Sequence, residues 1–127
     1  MCPPAAKQGD QVLAIDTHLI VSAGASSPVP HPFAGIIDGA LSSDVKIEGR
    51  AAATVDSTAT NTPAHIPIGG TFAVSPSNKA TIIKGSATVK INGKAAARSG
   101  DTALTCNDPV DAPVGSVLAV STVMVGG

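Results

Sequence analysis

Four residues of the 127 stand out as nitrogen or sulfur donors for a borderline metal ion: His18, His31, His65 and Cys106. The three histidines are all the sequence holds, and Cys106 is one of two cysteines. Imidazole nitrogen and thiolate sulfur are the donors Zn2+ prefers, and three of one with one of the other fill a tetrahedron. Such a closed set leaves no position for water or substrate, so the single ion it implies is structural and not catalytic. The positions match no local zinc-finger spacing, so the fold has to gather them. Each residue also has a plainer reading: His18 and His65 as hydrogen-bonded strand residues, His31 as a loop residue, and Cys106 as a small buried apolar side chain.

What lifts the constellation above chance is internal repetition. Val89-Lys90-Ile91-Asn92-Gly93-Lys94-Ala95-Ala96-Ala97-Arg98-Ser99-Gly100-Asp101 echoes Val45-Lys46-Ile47-Glu48-Gly49-Arg50-Ala51-Ala52-Ala53-Thr54-Val55-Asp56. A worn copy stands earlier at Ala5-Ala6-Lys7-Gln8-Gly9-Asp10. The copies align on Asp10, Asp56 and Asp101; His18 then lies eight residues beyond its Asp, His65 nine and Cys106 five. Three similar units, each delivering a ligand just past its acidic residue, converge those ligands on a common axis. His31, between Pro30 and Pro32 on a backbone the prolines hold extended, supplies the fourth.

The elements that must position these residues are strands. Asn92-Gly93 is the strongest short signal for a type I′ hairpin, and Glu48-Gly49 occupies the same place one copy earlier. The alanines on each return strand let backbones approach closely, as a narrow, tapering assembly requires. Gln11 to Val21 alternates as a strand, with Val12, Ala14, Asp16, His18 and Ile20 on one face and Leu13, Ile15, Leu19 and Val21 on the other. Val117 to Val125 repeats much of that pattern, which predicts equivalent places for the two ends of the chain. Ser26 to Pro32 and Asn107 to Pro113 read as turn-rich loops. Asp10, Asp56 and Asp101 read as turn and capping residues, and Arg50, Lys94 and Arg98 as solvated charges.

Composition agrees. Hydrophobic residues make up 43%, but without Trp or Tyr and with only two Phe the core is aliphatic, and thirteen Gly and ten Pro cut the chain into short segments. One domain over residues 1–127 is expected at this length. A formal net charge of -1, with no basic stripe, argues against nucleic acid as a partner. Met1 to Lys7 holds no apolar run of signal-peptide length, so the expectation is a chain made in the cytoplasm and carried out by another apparatus. A disulfide between Cys2 and Cys106 is disfavoured in that compartment. Nothing resembles a nucleophile elbow, a phosphate-cradling glycine loop or a helical zinc-protease motif.

Pro4-Ala5-Ala6-Lys7 followed by Gly9-Asp10, and Ala95-Ala96-Ala97-Arg98 followed by Gly100-Asp101, resemble the Pro-Ala-Ala-Arg-x-Gly-Asp pattern of PAAR-repeat proteins. No copy reads that pattern outright, which marks a PAAR-like branch. The resemblance implies an all-β, cone-shaped domain with three pseudo-repeats that caps the trimeric spike of a type VI secretion or related contractile injection system, one tip per trimer. It implies one structural zinc on His18, His31, His65 and Cys106, no enzymatic activity, exposure at the tip of the injection particle, transient contact with a target membrane, and toxin effectors as separate cargo chains. A zinc-dependent hydrolase acting on envelope polymers is the competing reading.

Overall fold

The computed structural model describes residues 3–126, so Cys2 and the question of its pairing lie outside the described residues. Eleven strands and no helix make up the described chain: β1 (Gln11–Ser22), β2 (Ala25–Gly39), β3 (Lys46–Ile47), β4 (Arg50–Ala51), β5 (Thr58–Asn61), β6 (Thr71–Phe72), β7 (Lys79–Ile82), β8 (Lys90–Ile91), β9 (Lys94–Ala95), β10 (Thr102–Thr105) and β11 (Ala112–Leu118). Six of them close a barrel in the order β1, β2, β5, β7, β10, β11, because β11 pairs with both β10 and β1. Every neighbouring pair is antiparallel. It follows that β1, β5 and β10 run one way and β2, β7 and β11 return.

Each outgoing strand begins at one copy of the repeated motif, and the three copies meet in a ring. Ala6 N–H donates to the carbonyl of Ala97, Ala53 N–H to that of Ala6, and Ala97 N–H to that of Ala53, each at 3.0 Å. Single bridges join Lys7 to Ala52, Thr54 to Ala96 and Arg98 to Ala5 in the same cyclic sense. Ala5, Ala6, Ala52, Ala53, Ala96 and Ala97 are all buried. Only a methyl side chain fits where three backbones come this close, so the alanine runs are a steric requirement of the ring.

The ring corrects the alignment of the second copy by one residue. Lys7 N–H donates to Asp10 Oδ2 at 3.0 Å and Arg98 N–H to Asp101 Oδ2 at 2.7 Å. The matching bond runs from Thr54 N–H to Ser57 Oγ at 2.9 Å, so Ser57 and not Asp56 holds the acidic position. Asp56 instead takes the glycine position, with φ 80° where Gly9 has 93° and Gly100 has 92°. It is exposed and pairs with Lys94 at 3.3 Å. Nor is Arg98 a solvated charge: it is buried, with Nη2 2.9 Å from Asp101 Oδ1.

Two hairpins stand beside the ring as wings. Glu48-Gly49 and Asn92-Gly93 both have positive φ at each position, the requirement of a type I′ turn. The third wing has no hairpin. Val125 N–H donates to Pro3 and Ala5 N–H to the carbonyl of Val123, so the two ends of the chain pair where β3–β4 and β8–β9 pair elsewhere. Ile47, Ile91 and Val125 accordingly pack with Ala5, Ala52 and Ala96 in one small core. The likeness of Val117–Val125 to β1 is therefore misleading: Val117 matches Ile37 and Ile82 in the hydrogen-bond pattern, and the chain leaves the sheet after Leu118.

Opposite the wings the structure tapers, because the β1–β2 hairpin runs on alone past the other two. It pairs over the whole of β1, whereas β5 and β10 have four residues each. Ser26 to Pro32, expected as a loop, is part of β2. Pro28, Pro30 and Pro32 fall at alternate positions opposite Leu19, Thr17 and Ile15. Lacking N–H groups, they occupy positions that do not donate to β1, and so terminate the open edge that β5 leaves uncovered. β6 pairs with Ile20 and Val21 on the other edge.

Candidate metal centre

The donor residues meet where the three hairpins end. Alternation in β1 turns Asp16, His18 and Ile20 inward, while Leu13 and Ile15 face out. β2 places His31 directly opposite Asp16. His65 arrives on the loop after β5 and Cys106 immediately after β10. With the corrected alignment His65 stands eight residues beyond Ser57, the offset of His18 from Asp10. At roughly 3.3 Å per residue, the outgoing strand carries His18 about 25 Å along its path from Asp10.

The three imidazoles form a triangle, with ring centroids 4.9 Å apart for His18 and His65, 5.5 Å for His18 and His31, and 5.7 Å for His31 and His65. The chain's two phenylalanines flank it. Phe72 lies 5.7 Å from His18 and 5.5 Å from His31, and Phe33 lies 5.9 Å from His65. Cys106 Sγ is 3.8 Å from His18 Nε2, and the Asp16 carboxylate sits against both halves of the group: Oδ2 is 2.9 Å from His65 Nε2 and accepts the Cys106 thiol at 3.4 Å. Asp16, His18, His65 and Cys106 each offer a ligand atom within 4.8 Å of all the others. His31 stands beside this group.

Neighbouring groups orient the rings. His31 Nδ1 lies 2.9 Å from the carbonyl of Val29, which leaves Nε2 as the free nitrogen, buried and without a partner. His18 Nδ1 faces Asp108 Oδ2 at 3.5 Å while its Nε2 faces Cys106. Asp108 is itself fixed by Leu19 N–H at 2.8 Å, and Asn107 Oδ1 by Thr17 N–H at 2.6 Å, so the strap after Cys106 is laced to β1. This is the supporting shell that metal-ligating histidines require. Burial lowers the pKa of His18, against the pull of Asp108, which favours the neutral form that can ligate. Burial and then the nearby Asp16 carboxylate push the Cys106 thiol up to about 11, so ligation there has to displace a proton.

A buried imidazole nitrogen with no hydrogen-bond partner is costly, and a metal ion held by the neighbouring donors could answer it. The residues present therefore fit a borderline divalent cation. The sequence singled out His18, His31, His65 and Cys106 and missed Asp16 as a member of the cluster. The signal for Asp16 was its shared strand face with His18. Asp108 and Asn107 carried no such signal, since their role depends on where a loop lies against β1.

The fold and the centre define a class: a small closed barrel of three pseudo-equivalent hairpins, with an alanine ring at one end and a buried cluster of side chains that could hold a metal ion at the other. The family model described as PAAR motif matches residues 26–112, more than half of the chain, and the chain belongs to that family. The matched span includes His31, His65 and Cys106. Among curated proteins there is no match.

Proposed function

We propose that the chain is the non-enzymatic tip of the trimeric spike of a bacterial contractile injection system, held rigid by one zinc ion on His18, His31, His65 and Cys106. The observation that carries this reading is the cyclic hydrogen bonding of Ala6, Ala53 and Ala97. One chain there imitates threefold symmetry, and a trimeric spike offers three equivalent edges to receive it. At that end Val45, Val89 and Val123 occupy matching places and are partly exposed, as is Met124, so apolar surface and strand edges are available for strand addition. At the other end the donor cluster ties the long β1–β2 hairpin to the loops after β5 and β10. A metal crosslink at that junction would stiffen the part that meets a target envelope first.

Burial argues for a structural ion and against the hydrolase reading. His18, His31, Asp16 and Cys106 are each 2% exposed or less, whereas hydrolysis needs a coordination position that solvent and substrate can reach. No helix of the described chain is long and apolar enough to cross a membrane. On this reading the chain assembles in the cytoplasm, leaves as part of the injection particle and offers a docking point for effectors. Native mass spectrometry of the chain co-expressed with its spike protein should show three spike subunits to one tip. A 3:3 complex, or no association, would overturn the capping model.

A further inference from the structure

Asp16 is fully buried, and among the described residues no lysine or arginine lies within ion-pair distance of it; its one ion-pair partner is His65. An ionised carboxylate in such surroundings is expensive unless a cation answers it. Its two oxygens are used differently. Oδ1 accepts the Thr105 hydroxyl at 2.6 Å, an anchor on β10, while Oδ2 faces His65 Nε2 and Cys106 Sγ at 2.9 and 3.4 Å.

These separations, with 3.8 Å between Cys106 Sγ and His18 Nε2, have the size of the edges of one coordination polyhedron. Donors bonded to a single ion at zinc-like bond lengths lie roughly 3 to 4 Å apart. Charge points the same way. Three neutral imidazoles and one thiolate leave a divalent ion with one net positive charge in a dry interior, and the carboxylate of Asp16 cancels it.

We infer that Asp16 is a direct ligand through Oδ2, so that the centre takes its divalent ion with five donors, Asp16, His18, His31, His65 and Cys106, and no net charge. This rests on the metal-centre reading above. Were Asp16 instead a positioning residue that only orients His65, coordination would be complete without it. A hard oxygen donor beside the thiolate also widens the range of ions the site accepts, towards Co2+ and Fe2+ as well as Zn2+.

Cobalt substitution separates these cases, because visible d–d bands are weak in five-coordinate Co2+ and intense in tetrahedral Co2+. The purified full chain, loaded with Co2+, should show a thiolate-to-cobalt charge-transfer band and weak visible bands. In Asp16→Ala the charge-transfer band should persist while the visible bands rise severalfold, and affinity for Co2+ should fall by more than the roughly 10–100-fold typical of losing an outer-shell partner. Asp16→Asn, which keeps the Thr105 hydrogen bond, guards against a folding failure in the alanine variant and should show the same rise. Visible bands unchanged in both variants would overturn the assignment of Asp16 while leaving the metal centre intact. Absence of the charge-transfer band from the wild type would remove both.

Discussion

Ser57 holds the Thr54 N–H at 2.9 Å in the place where Asp101 holds the Arg98 N–H at 2.7 Å. The same turn is thus closed by a neutral hydroxyl in the second copy and by a carboxylate in the third, where the guanidinium completes a buried ion pair. Ser57 needs no cation because its hydroxyl also donates to the carbonyl of Ala40 at 2.9 Å. The two copies should respond differently to truncation. Arg98→Ala strands the nearly buried Asp101 charge and should cost about 3–5 kcal/mol. Ser57→Ala leaves one N–H and one carbonyl unpaired and should cost about 1–3 kcal/mol. Urea denaturation checks the order, and a milder Arg98 variant would show that water reaches Asp101.

The alanine ring should not tolerate growth. Ala53 is fully buried and bonded through its N–H to Ala6 and through its carbonyl to Ala97. Extra methyl groups there must push backbones apart, because a core packed at crystal-like density has no slack. Ala53→Val is expected to cost about 1–3 kcal/mol and Ala53→Leu more. An Ala53→Leu protein melting within a degree or two of wild type would mean the ring is looser than its 3.0 Å hydrogen bonds indicate.

Much of this was legible in the sequence, for definite reasons. Asn92-Gly93 and Glu48-Gly49 announced hairpins because few dipeptides adopt two successive positive φ values. Strict alternation set the inner face of β1. The alignment of the second copy was misread because its single Asp lies one residue before the capping position, and a serine does the capping work unseen. Ser26 to Pro32 looked like a loop because prolines exclude a central strand, although they suit the open edge that β2 presents. The pairing of Pro3 with Val125 as a third wing was beyond reach, since it joins distant segments of unlike sequence.

The metal-free protein should have a stability plateau bounded on both sides by its own cluster. His18 is held below its ordinary value of 6.5, so under pH 6.5 the unfolded chain binds a proton that the native chain resists, and stability falls as pH drops. Cys106 is raised from 9.0 to about 11, so between those values the unfolded chain has lost a proton that the native chain keeps. Stability therefore falls again as pH rises above 9. Melting temperatures of chelator-treated protein across this range should trace both limbs. Metal loading should abolish the alkaline one, because a ligating thiolate has no proton left to keep. Persistence of that limb in loaded protein would argue against Cys106 as a ligand.

Metal content ties the centre to the rest of the fold. His65 lies on the loop after β5, His18 on β1 and Cys106 after β10, so one ion would join all three hairpins at an end where, among the described residues, β1 pairs with β2 and β6 and is tied to the strap after Cys106 through Asn107 and Asp108. Elemental analysis of protein purified without chelator should find one zinc per chain. Structural zinc can contribute an apparent 10–16 kcal/mol or so, against net stabilities of about 5–15 kcal/mol, so removing the ion should lower the melting temperature steeply. His65→Ala should lose stoichiometric zinc and melt early even when zinc is supplied. In a Cys2→Ser background the Cys106 thiol should resist thiol reagents in the native loaded state and react fully after denaturation with chelator. A His65→Ala protein with wild-type zinc content and melting temperature would exclude His65 from the centre, and zinc-free wild-type protein that melts normally would leave the tip to be held by its hydrogen bonds alone.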